Sequence, residues 1–229
     1  LLYEARNCAI ENSLGSFYAL LDVDDWWHPN KLEKQIPLFN DPEVGLVHGN
    51  FYWINELNNT KKIAKKKRFS SGRILVNLIK QYDVGLLTLV LRKKAYDQLD
   101  SPFHPKYNVI GDFDLVIRIS SSWKLGCVHE PVAFCRWHGN NMQIKEAHLF
   151  IQELEDWRIK MIEHPIIGNS FPVEFFDARI CKMKILQSII DGHRLNALFQ
   201  ISRLKLLKDK TKMYIACFLP VSIILNYKR

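Results

Sequence analysis

Three carboxylates stand together at the end of an apolar run in the stretch LLDVDDWWHPNKLEKQ, which covers positions 21–36. They are Asp22, Asp24 and Asp25. Like charges this close repel one another, so a cation among them would lower the repulsion. Hard cations such as Mg²⁺ prefer carboxylate oxygens and usually share them with substrate phosphates. The spacing is therefore compatible with a site for a metal ion and a diphosphate.

A purely structural role explains the same cluster without a metal. Pro29 suits the first turn of a helix. Asp25 would then accept hydrogen bonds from the first N–H groups of that helix, as an N-terminal cap. Both interpretations stay open on spacing alone.

A second pair of acids lies in GDFDLVIR, at positions 111–118. Asp112 and Asp114 are two residues apart, so on a helix they point in different directions. Asp114 has Arg118 four residues later, which predicts an ordinary ion pair along the helix. Asp112 has no such partner and lies in the first turn, which makes it the candidate general base. A carboxylate stabilised by the helix dipole is the alternative.

A histidine, His138, follows a predicted strand in CRWHGNN, at positions 135–141. Its ring nitrogen could ligate a metal ion. A histidine at the surface or in a hydrogen bond is the alternative interpretation.

Strands and helices alternate along most of the chain. Apolar runs bounded by turn residues predict strands at 16–22, 44–54, 85–92 and 126–138, the last broken by Pro131. Apolar residues three and four apart predict helices at 3–15, after Pro29, and at 71–82 and 111–120. Such alternation predicts an α/β domain with a largely parallel sheet, and ligands bind such sheets beyond the carboxyl ends of the strands. From about position 143 the pattern is mostly helical.

The charge distribution favours an anionic partner. Lys and Arg number 32 against 24 Asp and Glu, a formal net charge of +8. Positions 61–68 carry six positive charges and no negative one, and positions 201–229 carry seven positive and one negative. A nucleic acid, an anionic membrane or a phosphorylated small molecule would suit this excess, although a solvated surface also explains it. Five scattered cysteines without a CxxC pair indicate neither a zinc site nor a disulfide framework.

The longest apolar stretch, positions 213–225, has 13 residues. Spanning a bilayer takes roughly 20 apolar residues. This stretch therefore predicts a buried helix or a helix lying in a membrane interface.

Taken together, these motifs resemble family 2 inverting glycosyltransferases with the GT-A fold. The central match is ARNCAIENSLGSFYALLDVDDWWHPNKLEKQ, and it continues through SGRILVNLI, TLVLRKKAYDQL, GDFDLVIRI and RWHGNNMQ. The resemblance covers about positions 4–143. It implies a mostly parallel sheet flanked by helices in a GT-A domain over 1–143, followed by a helical C-terminal extension over 144–229.

The resemblance assigns a donor side to the site. Asp22 and Asp24 take the places of the DxD pair, with Asp24 as the direct ligand of Mn²⁺ or Mg²⁺ and Asp22 on the sugar nucleotide. Asp25 is the additional acid of this subset, and Arg6 lies near the donor diphosphate. His138 matches the histidine beside the metal and the diphosphate.

The resemblance also assigns an acceptor side. Asp112 matches the base that deprotonates the acceptor hydroxyl, and Trp26 and Trp27 could stack on a sugar ring. Gly111 departs from the pattern, because the residue before the base is usually Glu. The chain also starts inside the helix before the acidic strand, so we expect the family's first nucleotide-binding strands to be missing from it.

The expected function is transfer of a sugar from a nucleotide-diphosphate sugar to a saccharide or lipid-linked saccharide, in cell-surface polysaccharide synthesis. The expected location is the cytoplasm, peripheral on the inner face of the membrane. The alternatives are a catalytically inactive fragment and a metal-dependent nuclease or nucleic-acid-binding protein. No helix-turn-helix, RNP or zinc-finger pattern supports a nucleic-acid partner.

Overall fold

A computed structural model describes residues 2–56, 58–137, 145–202, 204 and 207–221. Its strands form a single mixed sheet in the order β1-β5-β3-β6-β2, with β4 paired to β3. The strands are β1 (Phe17–Ala19), β2 (Trp26–Trp27), β3 (Val44–Asn55), β4 (Thr60–Ile63), β5 (Val90–Arg92) and β6 (Lys124–Trp137).

Helices flank this sheet and make up the described C-terminal part of the chain. They are α1 (Leu2–Glu11), α2 (Lys31–Gln35), α3 (Leu75–Lys80), α4 (Lys93–Asp97), α5 (Gly111–Ser120), α6 (Ala147–Glu163), α7 (Val173–Ile190), α8 (Arg194–Ile201) and α9 (Leu207–Phe218). Short 3₁₀ helices cover Ile36–Asn40, Leu86–Thr88 and Gly168–Ser170. The α/β fold with flanking helices and a helical C-terminal region, which the GT-A resemblance implies, is confirmed.

The direction of the strands differs from the largely parallel sheet that we expected. Among the described strands, β3 and β6 pair in parallel, and the four other pairings are antiparallel. Apolar periodicity locates a strand but does not give its direction relative to its neighbours. That direction depends on the connections, such as the tight turn that folds β4 back onto β3.

Pro131 does not break the last strand. β6 runs through it, and its pairing with β3 shifts register on both sides of Asn50, the residue opposite Pro131. A proline has no N–H to give to the ladder, so a local irregularity at this point accommodates it.

Two predicted helices are shorter in the structure. α1 ends at Glu11, where the side chains of Asn12 and Ser13 bond back to the carbonyls of Cys8 and Ala9. Such side-chain bonds compete with continued helix, so the helix stops before Gly15. The helix expected over 71–82 is likewise confined to α3.

The main core lies between the sheet and α1, α3, α5, α6 and α7. It gathers apolar side chains from Tyr3 to Ile180, and it includes Trp157 of α6 and Phe176 of α7, both fully buried. A smaller cluster joins α7, α8 and α9 through Ile189, Ala197 and Cys217. Side chains on both sides of the predicted boundary near position 143 thus share one core, and the boundary itself stays a prediction.

Candidate active site

The end of β1 presents Asp22 to the first helix. Asp22 forms an ion pair with the guanidinium of Arg6, which projects from α1. Arg6 also lies over two aromatic rings, 5.2 Å from the centre of Tyr3 and 5.8 Å from that of Phe103. These rings hold the guanidinium beside the carboxylate, because a cation is attracted to the face of an aromatic ring.

Asp25 is held by the last strand rather than by a helix. Its carboxylate accepts a hydrogen bond from the backbone N–H of Arg136 at 2.9 Å, and α2 begins without a side-chain cap. The capping role that was one interpretation of Asp25 is therefore wrong. Burial raises the pKa of the Asp25 carboxyl. The Arg136 side chain also donates to the main-chain oxygen of Asp24 at 3.0 Å. β6 therefore fixes the segment 22–25 that carries the three acids, which we call the acidic turn.

Asp112 begins α5 next to the Arg6–Asp22 pair. Burial raises the pKa of Asp112 to about 6, while the Arg6 charge lowers this pKa and the Asp22 charge raises it. Tyr3 and Tyr82 are also close, because the charge of Asp112 raises the pKa of both phenols. The fold thus brings together three predicted site residues, Arg6, Asp22 and Asp112, from distant parts of the chain.

The space beside Asp112 has no room for a side chain at Gly111. A Cβ atom at Gly111 would lie 2.6 Å from two atoms of the Tyr3 ring. The Tyr3 hydroxyl donates to the carbonyl of Val109 at 3.1 Å, which fixes the ring in this place. In this chain the Tyr3 ring occupies the room that a larger side chain at position 111 would need.

Asp114 has the structural role that the spacing predicts. Its carboxylate accepts from Arg118 at 2.6 and 2.9 Å, and from the indole N–H of Trp157 at 2.9 Å. Only 2% of its side chain is exposed. Asp112 and Asp114 therefore differ in surroundings as expected, since one lies beside the Arg6–Asp22 pair and the other is enclosed between two helices.

The two tryptophans after the acids lie in different surroundings. Trp26 is 37% exposed and stacks on Phe134 with 5.3 Å between ring centres. Trp27 donates its indole N–H to the carbonyl of Leu87 at 3.0 Å. The ammonium of Lys31 lies 4.6 Å from the centre of the Trp27 ring. Trp26 thus has the more solvent-exposed ring of the two, whereas Trp27 is held by a hydrogen bond and a cation–π contact.

Trp26 belongs to an aromatic platform that the sequence did not reveal. The Phe134 ring also stacks with Tyr52 at 5.6 Å and with His28 at 6.0 Å. Lys61 lies over the Tyr52 ring at 3.9 Å. These rings come from β2, β3, β6 and the loop after β2, so only the pairing of the strands brings them together.

The metal site rests on fewer described residues than expected. His138 lies outside the residues that the structure describes. Among the described residues, no group of three or more His, Cys, Asp and Glu side chains could hold a metal ion. Mg²⁺ is commonly bound through one or two carboxylates plus substrate phosphates. Asp22 and Asp24 are two residues apart in the sequence, and a carboxylate here would suffice for a cation shared in this way with a diphosphate.

Comparison with known proteins shows that the first part of the chain is similar to one family. Residues 2–99 match the sequence profile described as glycosyl transferase family 2. A UDP-Glc:α-D-GlcNAc-diphosphoundecaprenol β-1,3-glucosyltransferase of Escherichia coli is 32% identical over 99 residues, which cover 43% of this chain and 38% of that protein. A second E. coli protein described by the same activity is 26% identical over 44% of this chain and 39% of its own length.

A longer but weaker match extends beyond these regions. An uncharacterised glycosyltransferase of Rickettsia bellii is 23% identical over 186 residues, which cover 80% of this chain and 26% of that protein. The chain thus spans less than two fifths of the length of each of these three relatives.

Proposed function

Because residues 2–99 match the sequence profile of glycosyl transferase family 2, we propose that this protein transfers a sugar from a nucleotide-diphosphate donor to an acceptor hydroxyl. The observation that carries the proposal is the position of Asp112. Its carboxylate lies beside the Arg6–Asp22 pair. A base, a guanidinium and a second carboxylate close together are groups that such a transfer can use.

The reaction is a single displacement at the anomeric carbon of the donor. The acceptor oxygen forms the new bond to this carbon, and Asp112 takes the proton of the acceptor hydroxyl. The bond from the anomeric carbon to the diphosphate oxygen breaks, and the electron pair leaves with the nucleoside diphosphate. Because the acceptor attacks the face opposite the leaving group, the anomeric centre is inverted.

The raised pKa of Asp112 suits the role of general base. A catalytic base works best when its pKa lies near the working pH, since it must be ionised and still hold a proton well. At pH 7 a carboxylate with a pKa of about 6 is mostly ionised. It is also a stronger base than an ordinary aspartate, whose pKa is about 3.9.

On the donor side, Arg6 would bind the diphosphate and the acidic turn would bind the metal ion. The Arg6 guanidinium is fixed by Asp22 and two rings, so its charge can face the donor diphosphate without a large loss of side-chain freedom. Asp24, together with His138, would hold Mn²⁺ or Mg²⁺. When bound, the cation would offset the negative charge on the departing diphosphate.

The acceptor side is supported by Trp26 and by the names of the relatives. Sugars stack on exposed aromatic faces, and Trp26 provides one such ring in β2, directly after the acids in the sequence. Both E. coli relatives are named for a lipid-linked GlcNAc-diphosphate substrate. We extend this to a saccharide acceptor carried on a lipid diphosphate, used in cell-surface polysaccharide synthesis.

The experiment is a transfer assay with a panel of nucleotide sugars, Mn²⁺ and a synthetic GlcNAc-diphosphate lipid. Product mass and anomeric configuration are read by mass spectrometry and NMR. We expect one donor to give a product with inverted configuration, and Asp112→Asn to lose transfer by a factor of about 10²–10⁴. Retained configuration, or equal rates for Asp112→Asn and wild type, would contradict the mechanism. No transfer with any donor would favour the catalytically inactive alternative.

A further inference from the structure

A buried glutamate in the C-terminal region reaches back to the chain segment that carries Asp112. Glu153 lies on α6 and is only 5% exposed. A buried carboxylate is costly unless hydrogen bonds compensate its charge. The partners of Glu153 therefore indicate which part of the molecule this residue organises.

Those partners are three consecutive backbone N–H groups and, at 3.4 Å, the side-chain amide of Asn108. One carboxylate oxygen of Glu153 accepts from the N–H of Asn108 at 2.6 Å. The other accepts from Val109 at 3.0 Å and from Ile110 at 3.1 Å. Hydrogen bonds to a charged carboxylate are stronger than neutral ones, so this one side chain fixes the path of residues 108–110.

Residues 108–110 lead directly into α5. The carbonyl of Ile110 accepts the first helical bond, from the N–H of Asp114 at 2.9 Å, and Asp112 lies between these two residues. The carbonyl of Val109 accepts from the Tyr3 hydroxyl, on the same helix as Arg6. Glu153 thus sets the position of Asp112 relative to α1.

A second contact from α6 supports this arrangement. Trp157 lies one helical turn after Glu153, and its indole N–H donates to Asp114 at 2.9 Å. Its ring packs on Phe113 with 4.7 Å between centres. α6 therefore holds the beginning of α5 at two places, on either side of Asp112 in the sequence.

We propose that Glu153 is a positioning residue for Asp112, which it holds against Arg6 and Asp22 through the backbone of residues 108–110. This proposal rests on the proposed function for the role of Asp112. Glu153 itself touches no reacting atom. Its carboxylate acts by fixing the chain segment from which the base projects.

The variant that tests this is Glu153→Gln. Glutamine has the same shape, but its NH₂ group cannot accept a hydrogen bond, so one or two of the three N–H groups lose their acceptor. Glu155→Gln is the matched control. Glu155 lies two residues later on the same helix, is 42% exposed, and pairs with Lys184 at 2.6 Å.

The first measurement is the titration of the Asp112 carboxyl by ¹³C NMR without added metal, assigned by the signal lost in Asp112→Asn. Four titratable or charged groups face this carboxyl. Tyr3 and Arg6 come from α1, Asp22 from the loop after β1, and Tyr82 from the loop after α3. In Glu153→Gln, a looser loop exposes Asp112 to water, so we expect its pKa to fall from about 6 toward the ordinary value near 3.9. Glu155→Gln should titrate like wild type.

The second measurement is the transfer rate. A displacement of about 1 Å at a reacting group costs on the order of 10²-fold in rate, so we expect Glu153→Gln to lower kcat by this order and to leave donor KM nearly unchanged. In an Asp112→Asn background the same change should cost little more, because the base is already absent. If Glu153 had a purely structural role, the loss of transfer rate in the double variant would instead be the product of the losses in the two single variants.

The outcomes separate the two proposals. If the Asp112 titration is the same in Glu153→Gln and Glu155→Gln, the positioning role is wrong. If the titration shifts but transfer does not fall, the positioning role holds and the catalytic role of Asp112 is wrong. Should Glu153→Gln fail to fold, Glu153→Asp, which keeps the charge on a shorter side chain, must give the same shift in the Asp112 pKa.

Discussion

The titration of the partly buried Asp112 and that of the buried His48 have opposite effects on stability. Burial raises the pKa of Asp112 to about 6 and lowers that of His48 to about 4. His48 is 2% exposed, and neither ring nitrogen has a hydrogen-bond partner among the described residues. Each group is therefore easier to keep neutral than to charge in the folded protein, and their pH dependences have opposite sign.

Asp112 should make the folded protein less stable as the pH rises. Its pKa is about 6 when folded and about 3.9 when unfolded, so between these values the folded state binds more protons. The stability that Asp112 contributes is complete below pH 3.9 and lost as the pH passes 6. We expect Asp112→Asn to be more stable than wild type at pH 7.5, and for this gain to shrink toward pH 4.5. Urea unfolding at both pH values measures it, and a gain independent of pH would contradict the assignment.

His48 should act in the opposite direction. Its pKa is about 4 when folded and about 6.5 when unfolded, so the unfolded state binds the extra proton between these values. The stability that neutral His48 contributes is present above pH 6.5 and lost as the pH falls to 4. The free energy of unfolding of wild type relative to His48→Gln should fall by roughly 1–2 kcal/mol between pH 7 and pH 5. A constant difference in urea unfolding would exclude a buried neutral His48.

Asp24 should control metal binding. Its main-chain oxygen is held by Arg136, so truncation of its side chain leaves this contact in place. We expect Asp24→Ala to abolish Mn²⁺ binding in calorimetric titrations with a nucleoside diphosphate, and to abolish transfer. The control is Asp97→Ala, which removes an exposed carboxylate paired with Lys93 on α4. Full transfer in EDTA, or Mn²⁺ binding by Asp24→Ala, would argue against the metal.

At the scale of elements, the site depends on close packing between helices that are far apart in sequence. α1 supplies Arg6 and Tyr3, α5 supplies Asp112, and α6 supplies Glu153. The Tyr3 ring lies against Gly111 at the first position of α5. A bulkier residue at this contact would separate α1 from α5, and thereby the base from the Arg6–Asp22 pair.

Gly111→Ala tests this contact. The new methyl group would lie 2.6 Å from the Tyr3 ring, so the ring must move from its bond to Val109. Overpacking of this kind usually costs about 1–3 kcal/mol. We expect that loss in urea unfolding, and a smaller loss for Gly111→Ala in a Tyr3→Ala background, where the space is free. Equal losses in both backgrounds would show that the ring is not the obstacle.

At the scale of the whole molecule, the described C-terminal helices combine a packed side with an exposed apolar side. Ala216 and Cys217 of α9 are buried in the small cluster with α7 and α8. Ile215 and Phe218 are 56% and 78% exposed and lie three residues apart, on one side of the helix. No helix within the described residues is long and apolar enough to cross a membrane. The buried residues fit the interpretation of the 213–225 stretch as a buried helix, and its interpretation as a helix in a membrane interface stays a prediction.

We expect this end of the molecule to bind anionic membranes peripherally. Basic residues near a membrane surface contribute about 1 kcal/mol each, and exposed apolar side chains insert into the interface. In flotation with anionic vesicles, wild type should float at low salt and less at high salt, because salt screens surface charge. The double variant Ile215→Ser, Phe218→Ser should float less under both conditions.

The control for this experiment is Leu14→Ser, which changes a fully exposed leucine just after α1. It should float like wild type. If wild type stays with the soluble fraction on anionic vesicles at low salt, the membrane proposal is wrong. Flotation that is independent of salt would instead assign binding to the apolar side chains alone.

The sequence by itself determined the local features of this protein. The acids after an apolar run, the helix over 111–120 and the Asp114–Arg118 pair all follow from spacing within a few residues. The structure has this helix at the predicted bounds and this ion pair in place. Such features are predictable because the period of a helix and the end of a strand place near neighbours with little help from the rest of the chain.

Only the tertiary structure decided which of these features meet. The carboxylate of Asp25 finds the N–H of Arg136, 111 positions away, and Glu153 finds the backbone of residues 108–110 from 43 to 45 positions away. Strand direction was decided in the same way, since β3 and β5 proved antiparallel. Apolar periodicity reports which face of an element is buried, but not which element covers it. The surroundings that raise the pKa of Asp112 arise from helices α1 and α5 packing together, and no local pattern specifies that contact.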